Sequence, residues 1–170
     1  MKASRQLKPI KRNEALVKYS REHNFGLQLC QKIKEGIKNN IEPKRISAYA
    51  LFFFDKDLNR HFQDEEMFLF PKLERDDPML KRALQEHQEI YYLINRIRSD
   101  IQNLQLLNEL SNSLEEHIRF EERVLFNFLQ DKLTDAELMD LAEKNSGKAN
   151  DVSQEWNDKF WNYKNCSNEK

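Results

Sequence analysis

The sequence has very few of the residues that make turns, with 3 glycines and 4 prolines among 170 residues. Few tight connections are therefore possible, and the secondary-structure elements must be long. Long elements with few turns favour an all-α protein. A chain of this length is one ordinary domain and can bury a sizeable core.

The chain also has few cysteines, no excess of basic over acidic charge and no long apolar run. The two cysteines, Cys30 and Cys166, are far apart, so no disulfide framework is indicated. The formal net charge is -1, which argues against a nucleic-acid partner. No apolar run approaches a membrane span, and the N-terminus lacks the apolar core of a signal peptide. We therefore expect a cytoplasmic protein with no membrane partner, while the oligomeric state stays open.

Apolar residues recur at spacings of three and four over most of the chain, which predicts an up-down-up-down four-helix bundle. We interpret residues 1–12 as a solvated basic arm, with an anionic docking site as the alternative. We expect residues 13–132 to form the bundle and residues 133–170 to form a short fifth helix and an aromatic, polar tail. The tail should pack its aromatic face on the bundle, with membrane contact as the alternative. The predicted long helices span about 13–39, 43–73, 78–103 and 105–132.

The same spacing predicts which side chains face the bundle interior. In the third helix it places Leu84 and Ile101 inside. In the second helix the predicted inward residues include Glu65 and Phe68. In the fourth they include Glu121, Val124 and Phe128.

A repeat links the second and fourth predicted helices. Residues 61–73 and 117–129 are identical at six of thirteen positions, so helices one and two correspond to helices three and four by a pseudo-two-fold. Both copies contain a histidine followed four residues later by a glutamate, which places the two side chains on one helix face. The repeat puts His61-Glu65 and His117-Glu121 on diagonal helices, facing the centre. The other histidines, His23 and His87, fall on the inward faces of the first and third helices.

Glutamate is almost never buried unless it is paired, and an uncompensated buried carboxylate costs several kcal/mol. Neutral imidazoles and carboxylates are good ligands for iron, manganese or zinc. We therefore predict a two-metal site in which Glu65 and Glu121 bridge the ions. By the pseudo-symmetry, His23 pairs with His61 and His87 pairs with His117. The alternative is a metal-free buried polar network.

Other carboxylates lie next to the predicted ligands. Glu66 and Glu122 should point partly outward, as solvated groups or as partners of the ligands. We interpret Glu22, Glu86 and Glu116, each directly before a histidine, as surface charge.

These motifs resemble the hemerythrin-like family, the HHE cation-binding domains. The resemblance covers about residues 13–132 and is carried by the segments Arg21-Glu22-His23, His61-Phe62-x-x-Glu65-Glu66-x-x-Leu69-Phe70-Pro71, Gln85-Glu86-His87 and His117-Ile118-x-x-Glu121-Glu122-x-x-Leu125-Phe126. It implies a bundle that holds two non-heme iron ions, with glutamates as bridges and histidines as terminal ligands. Ferritin-like di-iron proteins use Glu-x-x-His, a spacing that does not occur here.

One position departs from the oxygen-carrying members of that family, which have a second histidine on the third helix. The positions four residues from His87 are Ala83 and Tyr91, so this chain is similar to the four-histidine branch. Tyr91 is either an ordinary core aromatic or a hydrogen-bond donor to the bound centre.

The resemblance indicates the cofactor class better than the physiological role. Our first hypothesis is a non-enzymatic protein whose di-iron centre binds a diatomic ligand, O2 or NO, for sensing, transport or scavenging. The alternative is a redox or repair protein that turns over peroxide or NO, or one that stores or senses iron. Whether the chain is an enzyme stays open.

Overall fold

A computed structural model describes residues 11–165 of the chain. Residues 1–10 of the predicted arm and Cys166 lie outside this range. The described chain is helical, with no β-strand between residues 11 and 165. Within those residues, no helix is long and apolar enough to cross a membrane.

Four long helices form an antiparallel bundle. The first spans Glu14–Lys38, the second residues 43–72, the third Pro78–Ser99 and the fourth residues 104–132. The first helix packs on the second and fourth, and the third packs on the same two. The second and fourth helices are therefore diagonal, as the repeat predicts.

Side-chain caps and prolines set the helix ends. Asn13, Asp77 and Asn103 each accept a hydrogen bond from a backbone N–H in the first turn that follows, which satisfies a donor that the helix leaves unpaired. Pro43 and Pro78 occupy first helical positions, where a missing N–H costs nothing.

Beyond the bundle, Thr134 and Glu137 form a capping box at the start of a short fifth helix, Asp135–Lys144. Two 3₁₀ segments follow, Val152–Glu155 and Phe160–Asn165. Val152 and Phe160 are buried in the core of the bundle.

The second and fourth helices are not uniformly α-helical. Each has a π-helical turn that begins at the glutamate four residues after its histidine, Glu65–Leu69 and Glu121–Leu125. The second helix has another at Phe54–Leu58. A π turn bonds i to i+5 and so contains an extra residue. The second helix then ends in a 3₁₀ turn, Phe70–Lys72, which accommodates Pro71.

The extra residue changes which side chains face inward, so the predicted inward faces are wrong beyond the glutamates. Val124 is 46% exposed and Phe128 36% exposed, whereas Leu125 is fully buried. In the second helix Leu69 is buried and Phe68 only partly so.

Two residues of the predicted third-helix face are also on the surface. Leu84 is 37% exposed because the neighbouring Ala83 takes the inward position. Ile101 is 43% exposed, since the helix ends at Ser99 and Ile101 belongs to the connection.

The core consists of two apolar clusters with a polar layer between them. One cluster contains residues such as Ile33, Phe53 and Leu110. The other contains residues such as Leu16 and Phe126. The four histidines, one on each long helix, lie between these two clusters together with Glu65 and Glu121, and this layer is the candidate site.

Candidate metal centre

All six predicted ligands meet in the polar layer. The first and third helices contribute one histidine each, and the second and fourth contribute a histidine and a glutamate each. The six side chains are 0–2% exposed. They are His23, His61, Glu65, His87, His117 and Glu121.

The six residues form two overlapping groups of four. One group contains His23 and His61, the other contains His87 and His117, and both include Glu65 and Glu121. In each group the candidate ligand atoms all lie within 4.8 Å of one another. Glu65 and Glu121 are therefore common to both groups, and we call them the inner glutamates.

The distances within the groups suit atoms that share a metal ion. The Nε2 atom of His61 lies 3.1 Å from a Glu65 oxygen, and that of His23 lies 3.1 Å from a Glu121 oxygen. On the other side, the Nε2 atom of His87 lies 3.3 Å from the second Glu65 oxygen. Two ligands that are each about 2.1 Å from one ion are themselves about 3 Å apart.

These inner atoms are buried but not hydrogen-bonded. None of the four histidine Nε2 atoms or the four inner glutamate oxygens has a hydrogen-bond partner among the described residues. Each unsatisfied buried polar group costs about 1–3 kcal/mol, so eight together rival the whole stability of a domain. A pair of metal ions would satisfy all eight atoms, and the donor set fits such ions.

Comparison with protein-family models matches residues 15–129 to the hemerythrin HHE cation binding domain. The chain belongs to this family. No curated protein and no solved structure matches the chain. The matched range contains all six residues of the polar layer, so in this hemerythrin-family chain the two groups are the candidate cation site.

In the hemerythrin-type site, the Nδ1 atom of each histidine is hydrogen-bonded to a further carboxylate. The Nδ1 atoms of His61, His87, His117 and His23 lie 2.8, 2.7, 2.9 and 2.7 Å from Glu22, Glu66, Glu86 and Glu122. A carboxylate can only accept, so Nδ1–H donates and Nε2 is left to face the interior. We call these four carboxylates the outer glutamates.

Every outer glutamate comes from the helix that precedes its histidine in the ring. The first helix supports the second, the second supports the third, the third supports the fourth, and the fourth supports the first. Each long helix therefore carries one outer glutamate, and its own histidine is bound by the outer glutamate of another helix.

The interpretation of Glu22 and Glu86 as surface charge was wrong. The side chain of Glu22 is 1% exposed and that of Glu86 20% exposed, and both bind histidines of neighbouring helices. Only Glu116 is exposed, as expected. The requirement that a ligating imidazole donates its second N–H to an acceptor was the signal for these partners.

Aromatic rings fix the histidine planes. The Phe126 ring stacks on His23 at a centroid distance of 5.2 Å, and Phe62 stacks on His87 at 3.9 Å. Phe70, which corresponds to Phe126 in the repeat, also stacks on His87. These contacts hold the imidazoles in place and fill the space around them with apolar atoms.

The carboxylates control the protonation of the metal-free site. Burial alone would lower the pKa of His61, but the charge of Glu65 and the hydrogen bond to Glu22 raise it to about 9. The carboxylates of Glu65 and Glu66 likewise outweigh burial and raise the pKa of His87 to about 9. The pKa of Glu65 is held well below its usual value, against burial, by its histidine neighbours. In the metal-free site, protons on His61 and His87 therefore offset part of the cost of the unsatisfied inner atoms, and a cation would displace these protons.

Tyr91 lies one turn after His87, as the sequence implies, but its hydroxyl donates to Asn59 Oδ1 at 3.2 Å. Its ring packs edge-on against Phe62 at a centroid distance of 5.8 Å. The structure therefore places Tyr91 beside the ring that covers His87, with its hydroxyl bonded away from the inner glutamates.

Proposed function

We propose that the chain holds two non-heme iron ions and binds a diatomic ligand, O2 or NO. Glu65 and Glu121 bridge the ions in this proposal, while His23 with His61 and His87 with His117 are terminal ligands. The observation that carries it is the sharing of both inner glutamates by the two groups of four. A single-metal site would not need a second set of histidines across the same carboxylates.

The donor set would leave coordination positions open on each ion. Each ion receives at most four protein ligands, two nitrogens and two carboxylate oxygens. Iron in such mixed sites takes further ligands, so positions stay open for a small molecule. Bound iron would supply the redox activity that O2 or NO binding needs.

Burial restricts the size of that molecule. The six ligands are 0–2% exposed and are flanked by Phe62, Phe70 and Phe126. An organic substrate would have to displace these buried rings to reach the ligands, whereas a ligand of two atoms needs little space. This favours diatomic binding over turnover of a larger substrate.

Tyr91 is our candidate for a residue at the ligand-binding side. It lies one turn from His87 and contacts Phe62, but its hydroxyl would have to leave Asn59 to reach a bound ligand. We expect Tyr91→Phe to retain all iron and to release the diatomic ligand faster. An unchanged release rate would assign Tyr91 to the core alone.

The decisive experiment is an optical spectrum of protein loaded anaerobically with ferrous iron, before and after addition of O2. A visible charge-transfer band that disappears on deoxygenation supports reversible binding. Immediate irreversible oxidation would instead favour the redox, repair or iron-handling alternative.

Glu65→Ala and Glu121→Ala should lose most bound iron, with the exposed Glu116→Ala as control. If the unaltered chain retains no iron after desalting, the proposal fails.

A further inference from the structure

The outer glutamates differ in the positive charges that accompany them. Glu22 pairs with Arg60, Glu86 with Arg82 and Glu122 with Arg12, each at 2.7 Å. Glu66 has no such partner among the side chains described for residues 11–162, and its own side chain is 36% exposed. The pseudo-two-fold therefore does not hold at this level, since Glu66 and Glu122 are equivalent in the repeat.

Arg12 makes the most extensive of these contacts. One guanidinium nitrogen donates to both the carboxylate and the backbone carbonyl of Glu122, at 2.7 and 2.9 Å. The other donates to Asn127 at 3.1 Å and to Gln130 at 3.4 Å. The Arg12 side chain is only 10% exposed. At this position the chain is thus docked on the fourth helix, in contrast to the solvated arm expected from the sequence.

The Arg12 guanidinium is also connected to His23 through the Phe126 ring. It lies 5.4 Å from the centroid of the Phe126 ring, and that ring stacks on His23 with an interplanar angle of 19°. Arg12 therefore contacts both groups that orient the His23 imidazole, Glu122 through hydrogen bonds and Phe126 through its face. Among the described residues, Phe70 has no cation over its ring at the equivalent place.

We infer that Arg12 is a positioning residue for His23, and that it makes the two metal positions of the site inequivalent. The ion held by His23 and His61 depends on the docking of residues 11–13 against the fourth helix. The ion held by His87 and His117 does not. This inference rests on the proposed two-metal function.

The geometry of the contact distinguishes positioning from simple charge. A planar guanidinium can hold several acceptors at fixed angles, whereas an ammonium is a point charge on a flexible stem. Arg12→Lys keeps the charge and removes the fork, and Arg12→Gln removes both. Arg123→Gln is the matched control, because Arg123 is exposed and adjoins Glu122 in the chain.

The test is a titration with Co2+ in the presence of a competing chelator, followed by the visible absorption of the bound ion. Loss of a residue that orients a metal ligand typically weakens binding by about 10–100-fold. We expect Arg12→Gln and Arg12→Lys each to weaken one of two Co2+ equivalents by about tenfold and leave the other unchanged. Arg123→Gln should bind both as the unaltered chain does. Glu66→Ala should weaken the other equivalent, and the double variant Arg12→Gln/Glu66→Ala should weaken both.

Three results would overturn the inference. If Arg12→Lys binds like the unaltered chain, charge and not the fork is what matters. Equal weakening of both equivalents would mean that Arg12 supports the bundle as a whole. Unchanged binding in both Arg12 variants would leave it no role. Failure of the two-metal proposal would be recognised separately, because the unaltered chain itself would then bind fewer than two Co2+ ions.

Discussion

Glu22 of the first helix accepts a hydrogen bond from His61 Nδ1 of the second helix at 2.8 Å, while its other oxygen binds Arg60 at 2.7 Å. The carboxylate thus lies between an imidazole and a guanidinium, which holds its pKa below the usual value despite burial. An ionised Glu22 fixes the ring so that Nε2 points at Glu65.

This relationship predicts the effect of Glu22→Ala. Without the acceptor, His61 loses its orientation, and metal affinity should fall by about 10–100-fold. Competition with a chelator of known affinity measures this directly. Glu116→Ala, at an exposed residue that also precedes a histidine, should leave affinity unchanged. Equal affinities in both variants would show that Glu22 does not orient the ligand.

Metal removal should lower the melting temperature. In the two-metal proposal the ions bind only the folded chain and relieve its unsatisfied atoms, so each site whose metal is present at a hundred times its dissociation constant adds about 2.7 kcal/mol to the free energy of unfolding. For a chain of this size, that corresponds to roughly 5–10 °C. Calorimetry with and without a chelator, followed by restoration of metal, measures the shift. An unchanged melting curve would mean that the layer is satisfied without metal.

The π turn in the fourth helix makes opposite predictions for two adjacent residues. Leu125 is fully buried, so Leu125→Ala should cost about 2–5 kcal/mol of unfolding free energy. Val124 is 46% exposed, and Val124→Ala should cost less than about 0.5 kcal/mol. Urea unfolding of the two variants measures both. A larger loss for Val124→Ala than for Leu125→Ala would contradict the π turn and favour an uninterrupted α-helix.

Cys30 should be inert toward thiol reagents in the folded chain. It is 2% exposed, and burial raises the pKa of its thiol to about 12. Only the thiolate reacts, so alkylation at pH 8 should be slow and should accelerate on unfolding. A Cys166→Ser background removes the second thiol from the measurement. Rapid labelling of the folded chain would contradict the burial.

The same group gives a pH dependence of stability. The folded chain keeps the Cys30 proton to higher pH than the unfolded chain does, so the fold is favoured fully below the ordinary thiol pKa of 9.0. This contribution is lost as the pH rises from there toward 12. In Cys30→Ala that part of the alkaline loss should disappear. An identical alkaline profile in the variant would place the thiol pKa near its ordinary value.

The inner residues of the site were predictable because their signal is local. A histidine and a glutamate four residues apart share a helix face, and the repeat of this pair fixed the diagonal arrangement. The bundle was predicted from the spacing of apolar residues and from the scarcity of turn residues.

The partners of the site were harder to predict because their signal is not local. Glu86 meets His117 only after the third and fourth helices have packed, and neither helix alone shows the pairing. The position of Leu125 depends on a π turn that apolar spacing does not reveal. Arg12 lies in a basic stretch whose composition is typical of a solvated arm, and only its contacts with Glu122 and Phe126 assign it to the bundle.

The ring of outer glutamates has a direction, because each carboxylate reaches forward to the next helix along the chain. Four antiparallel helices can be arranged around a centre in a left-turning or a right-turning order. In the reversed order each glutamate would point away from its histidine, leaving buried imidazoles and carboxylates unpaired. The glutamate–histidine pairs thus favour the observed order of the helices over its mirror topology.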